Sequence, residues 1–533
     1  MHLTDHDLRQ LDRDALSRLR EDAARGLLER VVDDLKEARD RLRQDSRNSS
    51  RPPSSDSVYG TSRDGSTEED TLPDDPAPAE ATAGGEADEA TEAGGGIATP
   101  ADHARKDQAD SDEPARRRRG HQPGAPGFGR TQKLAVDVSC AHRPEQCAAC
   151  SLAFPSDAVG QAYGGYDEID LLPADPNLPG LRLFVTRHLL LEDLCACGHC
   201  TRYVPLRAVV LPEWEGVGVA AQQMVGPRLA GLIVMLCLRY RLSRCKVQEL
   251  LLELVGLQLS VGLIDQTLRQ SAGQIAPVED LLLDEIKHAD LLHVDETTWR
   301  ENGQLLWLWV FNSLSTLLYF IGPRSAEMFV NALQGDFQGH LMSDGYIVYR
   351  SYGKRLRCLA HLLRKALGLS EATCRHTSEI GRQLLDGLAD LIHAAQEAPK
   401  DSAAWLAGQQ APRLAELRAL CERHQHSPSS KLGEFCREML NDWAAIVRPL
   451  LDPSLPLTNN AAERILRHWV IARRISFGTR SEQGSRALAL FASVIDTCRA
   501  RKASAWDYLT AAITAGRQRM AMPPLPALAA GGE

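Results

Sequence analysis

Two short stretches of the chain end in acidic residues. Residues 291–294 can line a buried strand and run directly into Asp295. Residues 341–343 run in the same way into Asp344, after which Gly345 lets the backbone turn sharply. A strand that ends on an acid carries its carboxylate into a cleft, where a cation, a donor or a proton must offset desolvation. A single such pattern would indicate an acidic turn, but its repetition favours a metal site.

A third acid, Glu463, lies in a predicted amphipathic helix. Thr458 or one of the two asparagines after it can cap this helix, and Leu466, Trp469 and Val470 follow Glu463 at helical spacing. The acid therefore falls in the first turns of the helix.

Carboxylates on two strands and one helix suit a two-metal phosphoryl-transfer site. Two Mg²⁺ ions about 3.5–4 Å apart can clamp the attacking and leaving oxygens of an in-line displacement. Magnesium keeps several waters and takes few protein ligands, so a sparse carboxylate set suits it, and Mn²⁺ may substitute. Spacing alone cannot select three acids from the 71 Asp and Glu residues of this chain.

Four segments select them by resemblance. In this order, they resemble the catalytic core of bacterial transposases of the insertion-sequence-66 family: Asp295-Glu296-Thr297, Ser343-Asp344-Gly345-Tyr346, the segment from Cys358 to Lys365, and Thr458-Asn459-Asn460-Ala461-Ala462-Glu463-Arg464. The resemblance implies a DDE triad of Asp295, Asp344 and Glu463 on a ribonuclease-H-like fold. The triad would hold Mg²⁺ and catalyse cleavage and transfer of DNA strands.

Basic residues near these acids are the candidate DNA contacts. Many DDE enzymes carry a basic residue two turns after the glutamate, where this chain has Val470. The nearest cations, Arg467, Arg473 and Arg474, are alternatives for that basic residue, and other basic residues lie earlier in the chain. The predicted DNA-binding set is Arg116, Arg117, Arg118, Arg119, Arg364, Lys365, Arg467, Arg473 and Arg474. His361 lies either near the metal cleft or in ordinary packing.

The net charge of −10 is unevenly distributed. Residues 51–113 hold 17 acidic and 4 basic residues, which leaves a net charge of +3 for the rest of the chain. A mildly basic remainder is weak support for DNA as a partner. The acidic start does not resemble a signal peptide, and the longest apolar run, about 229–238, is too short to span a bilayer. We therefore expect a soluble, cytoplasmic protein without a membrane partner.

Cysteines form two clusters that predict structural zinc. Cys147-x-x-Cys150 and Cys197-x-x-Cys200 have the spacing of zinc knuckles, and four thiolates bind Zn²⁺ tetrahedrally. Cys195 or Cys140 is an alternative for one ligand. The insertion-sequence-66 family also has a zinc-binding segment at this position, and the odd total of 13 cysteines argues against a disulfide framework.

The N-terminal 46 residues predict one charged helix. Apolar residues from Ala24 to Leu42 are spaced alternately by four and three, as in a short dimerisation zipper, although packing on its own chain explains the pattern equally well. Residues 47–130 are predicted to be a disordered acidic linker that ends in an arm of four arginines and a Gly/Pro run.

The predicted fold class is multidomain α+β. A zinc ribbon over 131–210 is followed by a helical segment over 211–285, which could be a helix-turn-helix or plain helical packing. The ribonuclease-H-like core spans 286–500 with a helical insertion at about 367–450, and a helix and tail close the chain over 501–533.

The leading functional prediction is a transposase that cleaves and joins the ends of an insertion sequence, as a homo-oligomer and possibly with accessory proteins. Two alternatives stay open at this point. One is a domesticated, non-catalytic DNA-binding protein that contains zinc, and the other is a metal-dependent nuclease without strand transfer.

Overall fold

The computed structural model describes residues 20–42, 132–157, 159–205, 223–333 and 337–528. Nearly all of them belong to one unit, made of residues 1–56 and 134–533. The predicted acidic linker and the Arg116–Arg119 arm lie outside the described residues. No helix within these ranges is both long enough and apolar enough to cross a membrane.

The N-terminal helix α1 spans Glu21–Leu42. Three of its predicted zipper positions are exposed, Leu28 at 64%, Val31 at 40% and Leu35 at 59%, whereas Ala24 is half-buried. Near its C-terminal end, the Asp40 carboxylate accepts hydrogen bonds from the Thr373 backbone N–H and hydroxyl. The seam is therefore not covered by this chain's own core.

A small sheet follows. It contains β1 (Val138–His142), β2 (Gln161–Leu171), β3 (Leu183–Leu194) and β4 (Cys200–Arg202). Strand β3 pairs in parallel with β1 and antiparallel with β2 and β4. The turn from β3 to β4 contains two of the clustered cysteines, and Gly198 takes a φ of 85° there, which favours glycine.

Four helices connect this sheet to the central one: α2 (Pro227–Val234, continued by a π-helical turn over Met235–Arg239), α3 (Arg244–Val255), α4 (Val261–Ile275) and α5 (Val278–Lys287). Asp170 of β2 accepts hydrogen bonds from the first backbone N–H groups of α2 and so joins the two parts. Helix α3 ends at Gly256, whose φ is 65°. The exposed side of α4 carries an ion pair between Asp265 and Arg269.

The central sheet has five strands in the order β7-β6-β5-β8-β9. Strands β5 (Leu291–Glu301), β6 (Gln304–Asn312) and β7 (Leu317–Gly322) are antiparallel. Strands β8 (His340–Ser343) and β9 (Arg355–Arg357) run parallel to β5. The helix α6 (Ala326–Leu333) connects β7 towards β8, and a 3-10 turn over Ile347–Ser351 lies between β8 and β9.

Alternate residues of this sheet enter two cores, as the period of a strand requires. Trp309 and Phe311 pack with the connecting helices in the larger core. Leu308 and Val310 pack on the opposite face. Because Asp295 pairs with Val310 across the ladder, its side chain belongs to this second face.

Five helices separate β9 from the Glu463 helix: α7 (Leu359–Ser370), α8 (Arg375–Glu397), α9 (Ala403–His424), α10 (Ser430–Asn441) and α11 (Trp443–Leu451). They enclose an apolar core of their own. Buried Asp442 attaches them to the sheet, because its carboxylate pairs with Arg350, Arg355 and Arg357 at 2.9–3.3 Å.

Three helices complete the chain: α12 (Asn460–Ser476), α13 (Glu482–Ala500) and α14 (Ala505–Gln518). Helix α12 packs Leu466 and Trp469 on the second face of the sheet. Asp496 of α13 fixes its position, since the carboxylate accepts hydrogen bonds from Trp469 Nε1 at 2.9 Å and the Tyr319 hydroxyl at 2.8 Å.

Asp496→Asn is expected to change how stability depends on pH. Burial raises the pKa of Asp496, although the two hydrogen bonds oppose that rise. The folded state therefore binds a proton at Asp496 more tightly than the unfolded state does. As a result, the contribution of Asp496 to the free energy of unfolding falls as pH rises above about 4. The free energy of unfolding should therefore shift in favour of the variant between about pH 4 and pH 7 in urea titrations. Exposed Asp390→Asn on α8 is the control, and a pH-independent difference for Asp496→Asn would contradict this account.

The predicted mixed α+β class is confirmed, with two sheets, many helices and a cysteine cluster. One local prediction is wrong: Asp295 does not end its strand, because β5 continues to Glu301. The reason is that β6 pairs with β5 along its whole length, whereas β8 pairs only with Leu291, Leu292 and His293.

Candidate metal centres

Asp295 lies where a cleft opens in the central sheet. Strand β8 stops pairing with β5 at His293, and beyond that point the same edge of β5 is contacted by side chains at and after the start of α12, Asn459 at the Val294 carbonyl and Arg473 at the Thr298 carbonyl. Asp295 is the second residue past His293, and its carboxylate accepts a hydrogen bond from the Glu296 backbone N–H at 2.9 Å. The acid is half-buried where β8 and β5 separate.

Asp344 directly follows the C-terminal end of β8. Its carboxylate accepts a hydrogen bond from the Tyr346 backbone N–H at 2.8 Å, which holds the side chain in a tight turn. The buried guanidinium of Arg355 donates to the Asp344 carbonyl oxygen at 2.7 Å. A Cβ at Gly345 would lie 2.5 Å from an Arg357 nitrogen, so a side chain here would displace the Arg357 guanidinium.

Glu463 enters the cleft from the first turn of α12. The preceding Asn459 anchors that turn, since its amide donates to the Val294 carbonyl oxygen at 2.9 Å and its Oδ1 contacts His293 Nδ1 at 3.1 Å. Sequence analysis considered Asn459 only as a helix cap, but its side chain bonds to β5. This bond brings the start of α12 beside Asp295.

Two nitrogens approach the Glu463 carboxylate without bonding to it. His361 Nδ1 and Arg364 Nη2 each lie 3.7 Å from Glu463 Oε1. Burial, with the charge of Arg364 next, lowers the pKa of His361 to about 3, so its imidazole is neutral at physiological pH. His361 thus lies in the cleft, one of the two positions that the sequence left open.

The three predicted acids interact electrostatically. Burial raises the pKa of Asp295 well above its ordinary value, and the charges of Glu296, Asp344 and Glu463 raise it further. The ligand oxygens of the three acids are not all within 4.8 Å of one another. Two other groups of potential metal ligands in the described ranges are that close. A bound divalent cation would relieve this repulsion, because it stabilises the ionised form of each acid that faces it.

Glu296 lies on the opposite face of β5 and has its own partners. Its side chain is 1% exposed and pairs with Arg324 at 2.5 Å. The Tyr349 hydroxyl also donates to it, and burial raises the pKa of Glu296 to about 7. Arg324 in turn stacks over the Tyr346 ring at 3.7 Å. These contacts support the turn that carries Asp344. Apart from the adjacent pair of acids, no sequence pattern indicates them.

Several predicted cations are already paired within the protein. Lys365 pairs with Glu438 at 2.6 Å, and Arg364 faces Glu463. Arg473 donates to the Thr297 hydroxyl at 3.0 Å and to both oxygens of Thr298. Arg467 and Arg474 are exposed on α12.

Four cysteine sulfurs form a compact group. The ligand atoms of Cys147, Cys150, Cys195 and Cys197 lie within 4.8 Å of one another. The Cys147–Cys197 and Cys150–Cys195 sulfur distances are 3.7 and 3.5 Å. Tetrahedral zinc with Zn–S bonds of about 2.3 Å requires roughly 3.8 Å between sulfurs. The observed sulfur separations therefore fit Zn²⁺.

The group differs from the predicted ligand set at one position, since it contains Cys195 in place of Cys200. Cys200 is the first residue of β4 and pairs with Leu194. The neighbouring Thr201 faces the first knuckle, where its hydroxyl accepts from the Ala148 N–H at 3.0 Å. Because successive strand residues face opposite ways, Cys200 points away from the cluster. The alternative ligand Cys195 is therefore the one that the geometry selects.

Comparison with known proteins gives two family matches. The family model described as "Transposase IS66 family" matches residues 222–487, about half of the chain. A family of unknown function matches residues 6–68. The first match contains Asp295, Asp344 and Glu463, while the cysteine cluster lies outside both.

The chain is also similar to proteins of Sinorhizobium fredii. It is 26% identical to "Uncharacterized protein y4qI" over 296 residues, which are 49% of this chain and 54% of that protein. Over 78 residues it is 40% identical to "Uncharacterized protein y4hP", covering 15% of this chain and 14% of that protein. It therefore spans about half or less of the length of these relatives.

Proposed function

The chain belongs to the insertion-sequence-66 family of transposases, and from this premise we propose that it cleaves and joins the DNA ends of an insertion sequence. Asp295, Asp344 and Glu463 would act as a DDE triad on a ribonuclease-H-like core. The observation that carries this proposal is the placement of the three acids on neighbouring elements: Asp295 on β5, Asp344 directly after β8, which pairs with β5, and Glu463 in the first turn of α12, which bonds to β5 through Asn459. The mixed five-stranded sheet with helices on both faces supports the proposed core.

The residues fit Mg²⁺ because all three candidate ligands offer carboxylate oxygens, which hard divalent cations prefer. When bound, two such ions supply activation of a water or 3′-hydroxyl and stabilisation of the leaving oxygen. The protein's own contribution is to hold the acids on anchored elements, Asp344 in its tight turn and Glu463 through the Asn459–Val294 bond. No protein nucleophile is required.

An assay with labelled element ends tests this function. The purified protein is incubated with Mg²⁺ or Mn²⁺ and with duplexes that carry the two ends of the element and a target. Joined products support the transposase. Cut products without joining support a nuclease, and a mobility shift with neither product supports a non-catalytic DNA-binding protein, as in the two alternatives above.

The DNA end is proposed to run along the exposed side of α12, past Arg467 and Arg474. Arg467→Ala is expected to weaken end binding and to reduce the slope of log K against log salt by about 0.9, the value for one lost phosphate contact. Arg473→Ala should instead lower thermal stability, because it leaves the Thr297 and Thr298 hydroxyls without their partner. Exposed Arg375→Ala on α8 is the control for both. Equal salt slopes for Arg467→Ala and the parent would contradict this path.

Assembly and zinc complete the proposal. Two DNA ends must meet, so we propose a dimer or larger assembly through the exposed α1 seam that contains Leu28 and Leu35. Zinc is proposed to stabilise the small sheet and to take no part in the reaction. The Arg116–Arg119 arm is proposed as a further phosphate contact, and accessory proteins of the same element are possible partners.

A further inference from the structure

Three different kinds of metal ligand meet beside the carboxylate cleft. Cys358, His361 and Glu463 each offer a ligand atom, and the three atoms lie within 4.8 Å of one another. Cys358 and His361 come from the start of α7, while Glu463 comes from the first turn of α12. Thiol sulfur, imidazole nitrogen and carboxylate oxygen together suit Zn²⁺ and other first-row transition ions better than Mg²⁺.

Two of these atoms are buried without a hydrogen-bond partner. They are His361 Nδ1 and Glu463 Oε1, and they lie 3.7 Å apart. That separation is too long for a hydrogen bond. Two ligands bound tetrahedrally to one ion at about 2.1 Å would be roughly 3.4 Å apart, close to the separation observed. Buried polar atoms without partners require an explanation, and an ion between them provides one.

The third ligand is held by the backbone around it. The Asn459 N–H donates to the Cys358 sulfur at 3.2 Å, and the Asn459 side chain bonds to β5. The same residue therefore fixes both the sulfur and the helix that carries Glu463. Of the basic residues nearby, Arg357 and Lys365 are paired with Glu438 at 2.7 and 2.6 Å, so their charges are compensated. Arg364 faces the site itself, with Nη2 3.7 Å from Glu463 Oε1, so a bound ion would displace this guanidinium from the carboxylate.

We propose that Cys358, His361 and Glu463 bind a divalent transition-metal ion of the Mn²⁺, Co²⁺ and Zn²⁺ class. This inference rests on the proposed function only in that Glu463 would be shared with the carboxylate site. The nitrogen and sulfur donors would make this end of the cleft select against Mg²⁺, which prefers oxygen ligands.

Electron paramagnetic resonance with Mn²⁺ as the probe tests the site without relying on activity. Mn²⁺ is added to the zinc-loaded, full-length protein, and pulsed spectra are examined for coupling between bound Mn²⁺ and an imidazole nitrogen. The parent is expected to show this coupling. His361→Gln should lose it and bind Mn²⁺ at least about tenfold more weakly, since even outer partners of a metal site contribute that much.

Control variants distinguish the loss of a metal-binding side chain from unfolding of the protein. His393→Gln replaces an exposed histidine on α8 and should keep the coupling. His361→Gln should retain its zinc and its melting temperature in the absence of Mn²⁺. If it does not fold, Cys358→Ser is the second variant: the nitrogen coupling should remain while Co²⁺ binding weakens, because an alcohol is a poorer ligand than a thiolate.

The outcomes also separate this inference from the proposed transposase activity. Bound Mn²⁺ without nitrogen coupling in the parent, or coupling that persists in His361→Gln, overturns the mixed-ligand site and leaves end joining untouched. Nitrogen coupling in a parent that joins no ends supports the site and counts against the proposed function. A parent that binds no Mn²⁺ overturns the site.

Discussion

Asp344→Asn is expected to reduce Mg²⁺-dependent joining of element ends by at least about 10²–10³-fold, the loss seen when one group that stabilises transition-state charge is removed. Asparagine keeps the shape of the side chain and the oxygen that accepts from the Tyr346 N–H, so the turn after β8 should persist. It lacks the negative charge that a divalent cation requires of its ligand. Joined and cleaved products are measured at equal protein concentration with labelled ends.

Asp452→Asn provides a matched control. Asp452 also accepts from the backbone N–H two residues ahead, Ser454, at 3.0 Å, but it lies in the loop after α11. This variant should join ends as the parent does. If Asp344→Asn retained the parent's rate, the proposed metal role of Asp344 would be rejected, whatever the behaviour of the control.

Cys195→Ser is expected to abolish zinc binding and to unfold the small sheet. Structural zinc sites contribute about 10–16 kcal/mol of apparent binding energy in zinc-finger peptides, and folding of small units depends on that energy. Cys195 is buried, and its backbone closes the turn between β3 and β4 through hydrogen bonds to His199 and Gly198. Metal analysis should find little zinc in the purified variant, and its melting temperature should fall.

Cys200→Ser is the informative comparison because Cys200 was the sequence-based choice for the same ligand position. Its side chain is exposed and lies outside the group of four sulfurs. This variant should keep the parent's zinc content and melting temperature. Loss of zinc in Cys200→Ser together with retention in Cys195→Ser would contradict the ligand set that the structure selects.

Local pattern predicted the main elements of the central sheet. The apolar runs before Asp295 and Asp344 predicted β5 and β8, and helical spacing predicted α12 with its apolar side on the sheet. The family resemblance, now supported by the family match, selected three acids that composition could not. The length of β5 was misjudged because strand pairing, rather than the acid at Asp295, decides where a strand ends.

The distribution of the cations was also beyond the sequence. Arg355 and Arg357 stand in a basic run of the sequence, yet they are buried against Asp442, which lies far along the chain. Arg473 likewise binds threonines of β5 instead of facing solvent. The sequence shows the sign of each charge, but only the folded structure determines which residue of opposite charge pairs with it.

The sequence by itself determined the family, the three candidate carboxylates and the two cysteine clusters, because those depend on residue type and order. Tertiary structure decided which groups meet. Strand pleating turned Cys200 away, and the turn between β3 and β4 brought Cys195 into the cluster. Asn459 linked α12 to β5, and so brought Glu463, with His361 beside it, to the cleft near Asp295. Contacts between residues distant in the chain arise from packing and strand register, which short sequence patterns do not encode.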